Sequence, residues 1–125
     1  MRHQKRVIKI GSDKDHRTSL LRTLAMQVII HEKVKTTSKR VKAVQPFVEK
    51  LITIAKTKDK MNAIRRIEKL VQHKDCSKKL IDDLAIRYKD RTSGYTKTYN
   101  MGSRAGDNAP MVQIELINSA KGTTS

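Results

Sequence analysis

Nucleophilic, acid–base or metal chemistry needs groups that this chain holds in small number and without the required company. Cys76 is the one cysteine and His73 lies three residues before it, but two potential ligands do not make a zinc site, which wants four. With no second cysteine an internal disulfide is excluded, and a small buried or half-exposed thiol is the default. Asp82 and Asp83 are adjacent, so on a helix they point about 100° apart and share neither a metal nor a proton. A solvated helix face explains them. There is no Gly-rich phosphate loop with its Lys and Ser or Thr, and Cys76 has no general base beyond His73. The expectation is therefore no enzyme, no cofactor and no metal.

The chemistry the chain does carry in quantity is cationic. Lys and Arg number 28 against 12 Asp and Glu, a net charge of +16 over 125 residues, far beyond what solubility asks for. Such a balance implies a polyanionic partner, nucleic acid above all. The charge is uneven, with +9 in residues 1–42, +6 in 43–92 and +1 in 93–125, so the basic surface belongs mainly to the front of the chain. With three Tyr and one Phe, base stacking across a sheet is at best a minor mode.

No apolar run approaches the roughly 18 residues that span a bilayer, and the N-terminus lacks the apolar core of a secretion signal. A soluble intracellular protein is expected, with no membrane partner and no small-molecule substrate.

Elements that could position these cations follow from periodicity. Residues 1–12 are basic and too poor in apolar groups to pack, which predicts an extended arm able to order along phosphates, or else a frayed terminus. Asp13 or Asp15 caps a helix whose stripe is Leu20, Leu21, Leu24, Ala25, Val28 and Ile29, ending near His31. At its start His16 either meets a phosphate or satisfies a backbone group. Lys33–Thr37 alternates as a short strand, and Ser38 opens a helix carrying Val41, Val44, Val48, Leu51, Ile52 and Ala55, with Pro46 expected to kink it. A third helix starts near Asp59 and carries Ile64, Ile67, Leu70 and Val71. A fourth follows Asp75 or Ser77 with Leu80, Ile81, Leu84 and Tyr88.

Two period-two runs then flank a Gly-rich loop. Tyr95, Lys97, Tyr99 and Met101 share one face of the first arm, and Val112, Ile114 and Leu116 share one face of the second. Between them Gly102 and Gly106 can take positive φ, and Asp107 or Asn108 can bond to its own backbone. The loop is longer than turning requires, so it is either a contact element or a structural turn with Arg104 paired to Asp107. The order helix, strand, three helices, two strands predicts an α+β fold, a two-layer α/β domain with helices on one face of a small sheet. The division expected is an arm over 1–12, one domain over 13–118 and a flexible tail over 119–125. Charge alone leaves two uses open, an RNA-binding structural protein and a free DNA-compacting one.

Several stretches carry a resemblance. The opening Met1-Arg2-His3 with Lys5, then Lys9-Ile10-Gly11, His16-Arg17, Lys35-Thr36-Thr37, Leu51-Ile52-Thr53-Ile54-Ala55-Lys56 and Gly94-Tyr95-Thr96 resemble the bacterial-type large-subunit ribosomal protein seventeen family. Arg104-Ala105-Gly106-Asp107-Asn108-Ala109-Pro110-Met111 is the most specific match. Together they span residues 1–117 in a shared order. The sequence departs from the family's pattern at Ile8 and Ser12, usually basic, and at Ser103, usually apolar or aromatic. The resemblance implies a structural protein of a cytoplasmic or organellar ribosome. Its partners would be large-subunit ribosomal RNA and neighbouring ribosomal proteins, near the nascent-chain tunnel exit. The RNA-binding residues expected on that reading are Arg2, His3, Lys5, Arg6, Lys9, His16, Arg17 and Arg22 from the front of the chain. A second set comprises Lys35, Lys39, Arg40, Tyr95, Lys97 and Arg104.

Overall fold

The structure, a computed structural model, describes residues 14–57 and 59–117. The expected arm over 1–12, the Asp13 cap and the tail over 119–125 lie outside the described residues. Helix α1 spans Lys14–His31, strand β1 Lys33–Thr37, α2 Ser38–Thr57 and α3 Lys60–Val71. There follow α4 (Lys74–Lys79), a π-helical turn (Leu80–Leu84), one α-turn labelled α5 (Ala85–Arg87), β2 (Thr96–Ser103) and β3 (Pro110–Leu116). The fold is α+β, as expected. The sheet is antiparallel throughout, in the order β1-β3-β2. Strand β3 takes the centre because Val112, Ile114 and Leu116 are its buried face, and helices α1 and α2 cover that face.

The apolar stripes supply one core. Leu24, Ala25, Val28 and Ile29 of α1 meet Val41, Val44, Val48, Leu51, Ile52 and Ala55 of α2 within it, together with Ile114 and Leu116 from the sheet. Helix α2 runs through Pro46 as one helix. In α3 the buried set is Ala63, Ile67 and Val71. Ile64 and Leu70, expected inside, are half-buried.

The fourth helix departs from expectation at both its start and its middle. His73, not Asp75 or Ser77, is the N-cap, its Nδ1 accepting from the Cys76 N–H at 3.2 Å. Cys76, Leu80, Leu84 and Tyr88, all fully buried, are spaced by four, and in a regular helix each such step drifts about 40° around the axis. The π turn, in which the Ala85 N–H reaches the Leu80 carbonyl, is wider than an α turn and takes up that drift. All four side chains therefore stay on the core face. Burial pushes the Cys76 thiol up to about 11, against the opposing pull of Lys79, so it is a packed, protonated group and not a nucleophile.

One polar cluster fastens the end of α1. Glu32 follows the helix at φ 63°, a left-handed cap that glycine usually fills, and its N–H donates to the Val28 carbonyl at 2.8 Å. The side chain offsets the backbone cost, because Arg87 donates to both carboxylate oxygens at 2.8 and 3.0 Å and Lys79 approaches at 2.7 Å. Lys79 also donates to the Ile30 carbonyl at 3.0 Å. Hydrogen bonding from Arg87, with Lys79 assisting, outweighs desolvation and holds the Glu32 carboxyl at about 2, against an ordinary value of 4.5. A carboxylate so depressed stabilises the fold fully above its unfolded value, and that stability is lost as pH falls from about 5 through about 2. With a side-chain exposure of 26%, solvent screening reduces the contribution to on the order of 2 kcal/mol. Glu32→Gln should show that loss at pH 7 and a flatter stability profile between pH 5 and 2, measured by urea unfolding across pH. An unchanged profile would place the acid sensitivity elsewhere.

Candidate nucleic-acid interface

The sheet has one face against the helices and one without a covering element among the described residues. Register fixes what stands on the outer face. Lys33 and Lys97 both pair with Glu115, and Lys35 and Tyr99 both pair with Gln113. Because successive residues alternate between faces, these partners lie opposite to Val112, Ile114 and Leu116. Two cross-strand rows result, Lys33–Glu115–Lys97 and Lys35–Gln113–Tyr99. All three lysines are exposed, and Gln113 Nε2 donates to Glu115 at 2.6 Å. Lys35 and Lys97, predicted from sequence, are thus brought onto one surface, and Lys33 joins them. Lys39 and Arg40 stand exposed in the first turn of α2, directly after β1.

The hairpin loop is ordered by its own side chains. Arg104 donates to Asp107 through Nε at 3.1 Å and Nη2 at 2.7 Å, and Asp107 Oδ1 also accepts from the Ala109 N–H at 3.2 Å. The Arg104 hydrogen bonds, then the one from Ala109, hold the Asp107 carboxyl at about 2, against an ordinary 3.8. Gly102 at φ 87° and Gly106 at φ 102° supply the left-handed backbone the turn requires. The structural-turn alternative is realised, and part of the Arg104 charge is already matched. The guanidinium nevertheless stays half-exposed, with donors beyond the two that Asp107 accepts.

Tyr95 is a correction. It precedes β2 and is 1% exposed, packed on Tyr88 with ring centroids 5.2 Å apart. Its hydroxyl donates to the Thr92 carbonyl at 3.0 Å and accepts from Lys56 at 2.9 Å. A ring so enclosed offers no face to a nucleotide. Arg22 is partly diverted too, since its Nε donates to the Leu70 carbonyl at 2.9 Å and closes the end of α3. Arg17 and His16 lie in the first turn of α1, Arg17 half-buried and His16 exposed. Arg2, His3, Lys5, Arg6 and Lys9 lie outside the described residues.

A second basic surface, absent from the residues expected above, lies along α3. Arg65, Arg66 and Lys69 line an open groove of about 780 Å³ along α3 with Asn62, Glu68 and Gln72. The signal was their spacing, since 62, 65, 66 and 69 fall on one helical face.

The fold and its exposed cations define a class, that of small basic α+β domains. Comparison with known proteins specifies it. The model of the ribosomal protein L17 family matches residues 20–117, and the chain belongs to that family. It is 42% identical over 115 residues to the large ribosomal subunit protein bL17 of Methylacidiphilum infernorum (isolate V4), covering 92% of this chain and 87% of the relative. Against the bL17 of Rubrobacter xylanophilus identity is 42% over 118 residues, 94% of this chain and 97% of the relative. The bL17 of Wolbachia pipientis subsp. Culex pipiens is 41% identical over 126 aligned residues, 98% and 89% respectively. As a member of a ribosomal-protein family the chain is a structural component and not an enzyme.

Proposed function

We propose that the protein is a structural constituent of the large subunit of the bacterial-type cytoplasmic ribosome. It binds large-subunit ribosomal RNA by phosphate neutralisation and braces RNA against neighbouring ribosomal proteins. The observation that carries this reading is uncompensated charge. Among the described residues only Lys79, Arg87 and Arg104 of the Lys and Arg side chains form ion pairs, within a chain of net charge +16. Cations left unpaired on open faces repel one another, and counterion release on a phosphate backbone relieves that cost. A place near the nascent-chain tunnel exit accords with the family resemblance.

Sedimentation tests the reading. The protein should travel with large subunits through high salt, whereas recovery with DNA would reverse the assignment. Arg104→Gln should weaken RNA binding while making the salt slope shallower by no more than about one, because a single phosphate is involved and Asp107 already competes for the guanidinium. A larger change would mean that the loop carries more of the RNA contact than its one cation allows.

A further inference from the structure

The chain has three tyrosines, and the structure separates them: Tyr88 is 0% exposed, Tyr95 1% and Tyr99 43%. Tyr99 is at the same time the aromatic ring of the sheet's outer face, directly across from Gln113. We propose that Tyr99 is a stacking platform for an unpaired RNA base, so that the outer face of the sheet takes a single-stranded nucleotide and not only phosphates. The proposal rests on the RNA-binding reading above and adds to it a site and a class of ligand.

The surroundings suit a nucleotide. A ring standing on a pleated strand presents one flat face, and any base can stack on it without regard to sequence. Lys97 is two residues away on the same face, about 7 Å, and Lys35 stands two strands across, about 10 Å. Lysine side chains rooted at those distances reach the phosphates on either side of a stacked base. Glu115, the one acid on this face, sits in the next row between Lys33 and Lys97 and accepts from Gln113. That bond draws the carboxylate toward Gln113 at the centre of the Tyr99 row, where the side-chain amide occupies one of its oxygens. A protein neighbour would ask for a wider apolar patch than Tyr99, Met101 and Met111 provide among lysines.

The test uses the full chain and a large-subunit ribosomal RNA transcript. Tyr99→Ala should weaken affinity at fixed salt by roughly 5- to 150-fold, the range that stacking of one base supplies. The salt slope should stay as in the wild type, because stacking releases no counterions. Tyr99→Phe should bind like the wild type, and ultraviolet irradiation should crosslink Tyr99 to an unpaired nucleotide. A melting temperature unchanged by Tyr99→Ala is expected from the ring's exposure and separates the effect from unfolding. Wild-type affinity in Tyr99→Ala, or an equal loss in Tyr99→Phe, would overturn the proposal. So would a defect confined to subunit assembly with proteins, which would give this face to a protein neighbour. A wild-type chain that fails to bind the transcript would instead bring down the RNA-binding reading on which the proposal stands.

Discussion

Removing residues 1–11 should leave the domain folded and make the salt dependence of RNA binding shallower by roughly 3 to 4 in log–log slope. The deletion takes out Arg2, Lys5, Arg6 and Lys9, four of the 28 basic residues, and each phosphate contact contributes about 0.7 to 0.9 to the slope. The fold should survive because the deleted stretch is basic and poor in apolar residues, while the described core from Leu24 to Leu116 already joins α1, α2 and the sheet. Melting temperature and RNA affinity between low and moderate salt check both halves. An unfolded truncation would mean that the arm packs on the domain, and an undiminished slope would put the phosphates on the sheet face and α3.

The regular elements were legible because each repeats one rule. Alternation marked β1 at its observed bounds, and the α2 stripe from Val41 to Ala55 is buried throughout. What escaped depended on geometry that periodicity does not encode. Leu80, Ile81, Leu84 and Tyr88 marked a helix, but apolar spacing does not distinguish an ordinary helix from one that widens into a π turn over Leu80–Leu84. Strand order was beyond reach, because pairing of β1 with β3 joins segments separated in sequence by α2 to α5 and by β2. Of the predicted site, Lys35 and Lys97 converge only through that pairing. Lys33 went unrecognised for the same reason.

Tyr95 shows the same limit most sharply, and it carries the largest stability effect expected. By alternation it shares a face with Lys97 and Tyr99, yet β2 begins only at Thr96. Gly94 at φ 70° redirects the backbone just before it. Thr96 is then tied to α2 through Gln45 and Glu49, both at 2.9 Å, and the Ile117 N–H closes on the Tyr95 carbonyl at 3.0 Å. These bonds turn the ring inward onto Tyr88, with Lys56 4.9 Å from its centroid and bonded as well to the Arg91 carbonyl. Tyr95→Ala should therefore cost about 3 to 5 kcal/mol, the range for emptying a buried aromatic site. Tyr95→Phe should cost about 0.5 to 1.5 kcal/mol, since it keeps the volume and loses hydrogen bonds at the hydroxyl. RNA affinity of Tyr95→Phe at a temperature where it is folded should equal the wild type's. Urea unfolding and RNA titration decide the matter: a Tyr95→Ala protein of near-normal stability with weakened RNA binding would return Tyr95 to the interface and contradict its place in the core.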